Sequence, residues 1–205
     1  MNNSIKLILA VIFILLFSVS EAQKPDSVNY SQTISGDFSF TKTWHYPPDI
    51  EKDTKTGQFS NQFTGEKVKP ADTQHIYQSC NCECDFQGSH QITYCIANIS
   101  NDTLILTFTN YDGSGYLKVK IFNGICSSQF YYTFVAPIKK NQPVNFQTTG
   151  QQLTLNTKSI KLGQKIRGKI NVGFTMDYYL QNGTMEKRHF YLNGLFATKI
   201  KNSEK

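Results

Sequence analysis

The sequence predicts an all-β protein: an antiparallel β-sandwich or jelly-roll-like single domain that follows a cleaved signal peptide. Three observations carry that prediction. Beyond the first 22 residues, apolar residues alternate with polar ones at a period of two, and helical spacing is scarce. Tyr, Phe, Thr, Ile and Val, which suit a pleated and half-buried surface, are plentiful. Turn-forming pairs such as Asn-Gly and Asn-Asp punctuate the alternating runs. About eight to ten short strands separated in this way are the pattern of a sandwich or jelly roll. A barrel with a ligand cavity is the alternative.

The leader comes first. Met1 to Lys6 carries the terminal amine and one lysine, Leu7 to Val19 is apolar apart from Ser18, and Ser20-Glu21-Ala22 offers small residues at both cleavage positions. That order is a secretory signal peptide over residues 1–22. The apolar run is too short to span a bilayer, which takes about 20 residues, and no second long apolar run exists. The first cysteine is Cys80, so no cysteine at the cleavage site is available to carry a lipid. The expectation is a secreted or periplasmic protein with no stable membrane insertion. Residues 23–205 have the length of one domain and bury a core without needing a metal or disulfides.

The mature part opens irregularly. Ile34 to Trp44 is a candidate strand carrying Phe38, Phe40 and Trp44. Residues 46–74 hold Pro47, Pro48, Gly57, Gly65 and Pro70 among many polar residues, and read as a long irregular loop or arm. No repeat at a fixed period is apparent.

Residues 90–200 hold the most regular strands. Ile92, Tyr94 and Ile96 fall on one parity and Thr93, Cys95 and Ala97 on the other, before Asn101-Asp102 turns the chain. Leu104, Leu106 and Phe108 alternate next, and the Asp112 to Gly115 segment is another turn. Leu117, Val119 and Ile121 oppose Lys118 and Lys120, and Asn123-Gly124 is a hairpin-turn dipeptide. Gln129 to Val135 is aromatic on both faces, as in a central covered strand or a platform exposed on one side. Pro143 to Thr148 and Gln151 to Asn156 are shorter candidates. The strongest pattern is a long hairpin around Asn182-Gly183, with Ile166, Gly168, Ile170, Val172, Phe174, Met176 and Tyr178 on one parity and Phe190, Leu192, Phe196 and Ile200 on one parity in return. Its glycines, Gly194 among them, mark bulges or close backbone approach.

Charge excludes one class of partner. The chain carries +6, from 21 basic and 15 acidic residues, but the charge is diffuse. Even the densest basic stretch, Lys158 to Lys169, reads as solvated strand faces, and Arg167 and Arg188 are the only arginines. A nucleic-acid surface needs a basic stripe with interleaved aromatics, so no nucleic-acid partner is expected.

The cysteines form the single chemical constellation. They are Cys80, Cys82, Cys84, Cys95 and Cys126, three of them in Cys80-Asn81-Cys82-Glu83-Cys84. In an extended run the three share a face, with Glu83 and Asp85 opposite. One reading is a thiolate metal site at Cys80, Cys82 and Cys84, with Cys95, His75 or His90 as a further ligand; sulfur selects copper(I) or zinc. The spacing departs from the usual structural zinc pattern. The favoured reading is disulfide pairing of these cysteines with Cys95 and Cys126, leaving one thiol over, because an exported chain meets an oxidising environment and a tight ring between near neighbours is strained.

Catalytic signals are weak. No Gly-x-Ser-x-Gly, His-Glu-x-x-His or phosphate loop occurs, and His45, His75, His90 and His189 are scattered. Asn110, Asp112 and Ser114 have the spacing of half a calcium loop without its second half. Asn29, Asn98, Asn101 and Asn182 begin glycosylation sequons. The adjacent tyrosines Tyr131-Tyr132 and Tyr178-Tyr179 must each expose a ring on a half-buried strand. No cofactor is implied. These observations favour a non-enzymatic binding or interaction module for an unidentified protein or glycan. Metal binding by the cysteine cluster is the alternative, and an enzyme with a loop-assembled site a second one.

Overall fold

The computed structural model describes residues 26–86, 88–110, 115–132, 146–179 and 184–202. The expected leader, Asp112 and Ser114, the part of the expected Gln129 to Val135 strand beyond Tyr132, Pro143, the expected turn at Asn182-Gly183 and the side chains of Tyr178 and Tyr179 lie outside the described residues.

Two very short strands begin the chain, β1 (Asp26–Ser27) and β2 (Asn29–Tyr30). A 3-10 turn (Ser39–Lys42) leads to β3 (Trp44–His45), followed by β4 (Ile50–Lys52), β5 (Phe59–Asn61) and β6 (Lys67–Val68). A second 3-10 turn (Pro70–Asp72) precedes β7 (Ile76–Tyr77). The longer strands then follow: β8 (Cys80–Cys84), β9 (His90–Ile92), β10 (Tyr94–Ser100), β11 (Thr103–Thr109), β12 (Gly115–Phe122), β13 (Ile125–Tyr132), β14 (Phe146–Leu155), β15 (Lys165–Tyr179) and β16 (Met185–Asn202).

The described residues are nearly all β, and most belong to one large mixed sheet in the order β1-β13-β12-β11-β10-β16-β15-β14-β2. The β8–β9 hairpin branches from it through β16. The sheet curls until β13 and β14 face each other, giving a nearly closed, barrel-like form. Side chains cross that seam: Thr148 Oγ1 donates to the Ser128 carbonyl at 2.9 Å, and Gln151 Nε2 to the Cys126 carbonyl at 2.9 Å. The first strands clamp one end of it, since β1 pairs with β13 and β2 with β14.

The sheet is mixed where a purely antiparallel one was expected. β10 runs parallel to β16, and β2 parallel to β14. The first parallel pair follows from the meander. The chain reverses an even number of times between β10 and β16, so the two strands point the same way when the curl brings them together.

One core fills the interior. Ile166, Ile170, Val172, Phe174 and Met176 of β15 are buried on the predicted parity, as are Leu192, Phe196 and Ile200 of β16. Phe130 stacks on Phe174 with ring centroids 4.3 Å apart, and Phe108 meets Phe196 edge-on at 5.2 Å. Such contacts add about 0.5–1.5 kcal/mol to the gain from burial itself. Two of the predicted turns also form. Asn101 and Asp102, and likewise Asn123 and Gly124, have positive φ, the twist that two-residue hairpins favour.

Four local expectations are corrected. Ile34 to Trp44 is not a strand: the Asp37 carboxylate accepts hydrogen bonds from Ser39 N at 2.8 Å and Ser39 Oγ at 2.7 Å, which starts the 3-10 turn that buries Phe40. Ile92 to Ala97 is not one continuous strand. The Thr93 carbonyl accepts from both Ser79 N and Cys80 N, the strand breaks there, and the inward parity passes from Ile92 to Cys95 and Ala97, leaving Ile96 exposed. The two short candidates around residues 143–156 meet in a single strand, β14, with a bulge between Thr148 and Gly150. Finally, residues 46–74 are not irregular, because β4, β5 and β6 form a small antiparallel sheet.

That small sheet contains a repeat not apparent from the sequence period. Asp53-x-x-Thr56-Gly57 and Asn61-x-x-Thr64-Gly65 fold alike. Asp53 Oδ1 accepts from Lys55 N and Thr56 N at 2.7 and 2.9 Å; Asn61 Oδ1 accepts from Phe63 N and Thr64 N at 2.9 and 3.0 Å. Gly57 and Gly65 then take φ of +71° and +72°, the left-handed conformation open to glycine at no steric cost. Each glycine N–H returns to the carbonyl of its own Asp53 or Asn61.

Candidate ligand-binding face

β3 and β7 form a two-stranded ribbon in the register Trp44↔Tyr77 and His45↔Ile76. Side chains alternate across such a ribbon, and cross-strand partners share a face. Trp44 and Tyr77 therefore lie on one side, joined by Tyr46 and His75, each two residues from one of them. His45 and Ile76 take the other side, where His45 meets the Tyr94 ring of β10 edge-on at 5.6 Å. One face seats the ribbon on the large sheet and the other turns outward.

The outward face is aromatic and open. Trp44 and His75 stack with ring centroids 3.6 Å apart and planes 17° from parallel. Tyr46 approaches Trp44 edge-on at 5.2 Å, and Phe59, a buried residue of the small sheet's central strand, meets Tyr46 at 4.9 Å. The small sheet thus braces the ribbon. Trp44 remains 39 % exposed and Tyr77 54 % exposed. A contiguous exposed apolar patch rimmed by polar atoms is the usual mark of a binding surface. Trp44-His45-Tyr46 and His75-Ile76-Tyr77 each alternate aromatic, inward residue, aromatic, and that shared pattern was the signal available in the sequence. Its pairing across the 30 residues between His45 and Ile76 was not.

A second aromatic face lies on the outside of the large sheet. Tyr116 and Tyr131 are cross-strand partners and stack at 4.8 Å, with Lys118 Nζ 5.4 Å from the Tyr131 ring centre and 5.8 Å from that of Tyr116. Tyr132 turns inward to Phe86 at 4.9 Å. The Tyr131-Tyr132 pair therefore divides as its position on a half-buried strand requires.

The cysteines lie in the core. Cys80, Cys82 and Cys84 share the buried face of β8, and Glu83 stands on the exposed one. Cys95 is buried beside them, its main chain tied to Ser79 by hydrogen bonds in both directions. Cys126 is elsewhere, its Sγ 3.3 Å from the Asp26 carbonyl. All five stand as free thiols, so neither the expected disulfide to Cys95 nor the one to Cys126 is formed; the strand of Cys126 lies on the opposite flank from β8 in the sheet order. Burial pushes the Cys80 and Cys95 thiols well up, and pushes Cys84 and Cys126 up to about 11. Among the described residues no group of three or more His, Cys, Asp or Glu side chains is placed to hold a metal ion.

The histidines do not converge. His75 joins the aromatic face, His45 lies behind it, and His90 places Nδ1 2.9 Å from the Gly88 carbonyl at the β8–β9 turn. His189 is on the exposed part of β16. Among the described residues no helix is long and apolar enough to cross a membrane. Asn29 and Asn101 are exposed and Asn98 half-buried, whereas the half-loop of Asn110, Asp112 and Ser114 has only Asn110 within the described residues. Comparison with models of known protein families, with curated proteins and with solved structures finds no match in any of the three.

Proposed function

We propose that this chain is an exported, non-enzymatic binding module whose ligand is a glycan, held on the Trp44–Tyr46–His75–Tyr77 face. The curled sheet serves as a sandwich-like scaffold, with the residues before Gln23 removed during export. The observation that carries the reading is the set of aromatic rings on one exposed face of a ribbon braced from both sides. A sugar ring presents a flat face of C–H groups that covers an aromatic ring, and its rim hydroxyls suit the histidine nitrogens and the tyrosine hydroxyls. Aromatic side chains with one polar end favour surfaces of this mixed kind. The rings are already held in place, so little ordering entropy opposes binding.

Trp44 is the single tryptophan, so its emission reports on this face alone. Titration with cellohexaose, xylohexaose and chitohexaose is expected to give a saturable change in emission with at least one of them. Trp44→Ala and Tyr77→Ala are expected to weaken that sugar's binding at least tenfold by calorimetry, with an unchanged melting profile. No response to any of the three sugars, from protein that melts cooperatively, overturns the glycan reading. The exported part of the proposal is checked separately, by N-terminal sequencing of secreted protein, which is expected to begin at Gln23.

A further inference from the structure

The β8 face deepens the exported reading, and rests on it only for the compartment in which an oxidant is met. Cys80 and Cys82 are two residues apart on the same buried face, and the Cys80 thiol donates toward the Cys82 sulfur across 3.0 Å. A disulfide bond is about 2.05 Å long, so the two sulfurs need to close by only about 1 Å. The space around them is specific. Gly194 of β16 lies opposite Cys82, and a methyl group there would come 2.8 Å from Cys82 Sγ and overlap the Asn81 carbonyl oxygen. The absence of a side chain at Gly194 is what lets β8 seat with the Cys82 thiol turned toward Cys80.

We propose that Cys80 and Cys82 are an oxidisable dithiol that closes to an intrastrand disulfide by exchange with a small-molecule disulfide such as oxidised glutathione. One thiolate of the pair attacks a glutathione sulfur, breaking its S–S bond and releasing one glutathione thiolate. The second cysteine loses its proton and attacks the mixed disulfide, releasing the second glutathione. The protein loses two hydrogens and gains one S–S bond, and one oxidised glutathione becomes two reduced ones.

Two physical points define the character of the bond. Residues two apart on a strand span about 6.6 Å, near the upper limit of about 6.8 Å for disulfide-bonded Cα atoms. The bond is therefore strained and easily reduced, as labile disulfides are. Both thiols are also fully enclosed, with 0 % exposure. Because the thiolate is the attacking form and burial keeps Cys80 protonated, exchange proceeds before β8 seats against β16 or after it lifts away. Cys95, packed beside the pair, is the competing partner.

The test is refolding of the reduced, denatured protein across a series of reduced-to-oxidised glutathione ratios, followed by alkylation and intact mass. The expected product has three alkylated thiols and two hydrogens fewer. Fragmentation is expected to give no separation between Cys80 and Cys82 until the product is reduced. Cys84→Ser, Cys95→Ser and Cys126→Ser are expected to keep the protected pair, and Cys80→Ser and Cys82→Ser to lose it. Five alkylated thiols at every ratio overturn the proposal. So does protection that survives Cys80→Ser and disappears in Cys95→Ser, which assigns the bond to Cys82 and Cys95. Fragmentation of the wild-type product decides the pairing even where a variant fails to fold. A chain retained inside the cell with residues 1–22 intact removes the exported reading and leaves the refolding result standing.

Discussion

The large sheet and the small ribbon use the same residue types for opposite ends. In the sheet, Phe130, Phe174, Phe108 and Phe196 face inward, and ladders of many residues hold them, above all the β15–β16 pair from Lys165↔Lys199 to Tyr179↔Met185. In the ribbon, Trp44 and Tyr77 sit on two-residue strands with His75 just before the second of them, and the three rings are held by one another and by Phe59 against Tyr46, and stay exposed. An aromatic ring's role is therefore set by which side of its strand is covered, and not by its identity. Burial of a ring stabilises the fold by about 1.5–3 kcal/mol. An exposed stacked ring contributes little to the fold and keeps its surface for a partner.

Phe174→Ala gives the sharpest contrast and the largest expected effect. It opens a cavity between Phe130, Phe190 and Phe86 and is expected to cost about 3–5 kcal/mol in denaturant unfolding. The native Trp44 emission stays the same, because the ribbon is not touched. Gly194→Ala comes next, at about 1–3 kcal/mol, since the added methyl overlaps β8 backbone that cannot move without losing its ladder. A Gly194→Ala protein as stable as wild type would mean that β8 does not pack as closely as described.

Alkaline titration separates the regions by a different route. Cys84 and Cys126 hold their protons up to about 11 in the folded protein, against an ordinary thiol value of 9.0. The folded state binds those protons more tightly than the unfolded one. Stability is therefore intact below 9 and falls as pH rises from 9 through about 11. Unfolding of reduced protein followed across that range is expected to show the loss, and Cys84→Ala to diminish it.

The smallest effect is within the small sheet, where the two hairpins provide their own control. Hydrogen bonds from Thr56 N and Lys55 N hold Asp53 below the usual carboxylate range. Its turn is therefore stabilised above the ordinary value of 3.8 and loses that stabilisation as pH falls through the lower folded value. The Asn61 turn does not titrate. Amide exchange of Lys55 and Thr56 is expected to lose protection in acid relative to Phe63 and Thr64, and Asp53→Asn to make the two turns behave alike.

Legibility in the sequence followed the range of the interactions. The parity of Ile166 to Met176 and the turns at Asn101-Asp102 and Asn123-Gly124 were readable because each depends on a period of two or on one dipeptide. The shared face of Cys80, Cys82 and Cys84 was readable for the same reason. The break at Thr93 was not, since it comes from one carbonyl serving two N–H groups of a segment 13 and 14 residues earlier. The small sheet was hidden because proline and glycine content reads as irregularity, although Asp53 and Asn61 organise tight turns from within it. The pairing of the Trp44 and His75 segments had no local signature.

The sequence by itself determined an all-β chain, the inward parity of its long strands, several of its turns and the common face of three cysteines. Those properties arise from alternation and backbone stereochemistry, which act over a few residues. Tertiary structure alone decided that β10 meets β16 in parallel, that Gly194 lies opposite Cys82, and that Trp44 stacks on His75 in the open. Each of these is a contact between segments far apart in the chain, and their neighbourhood is fixed only when the whole sheet curls around one core.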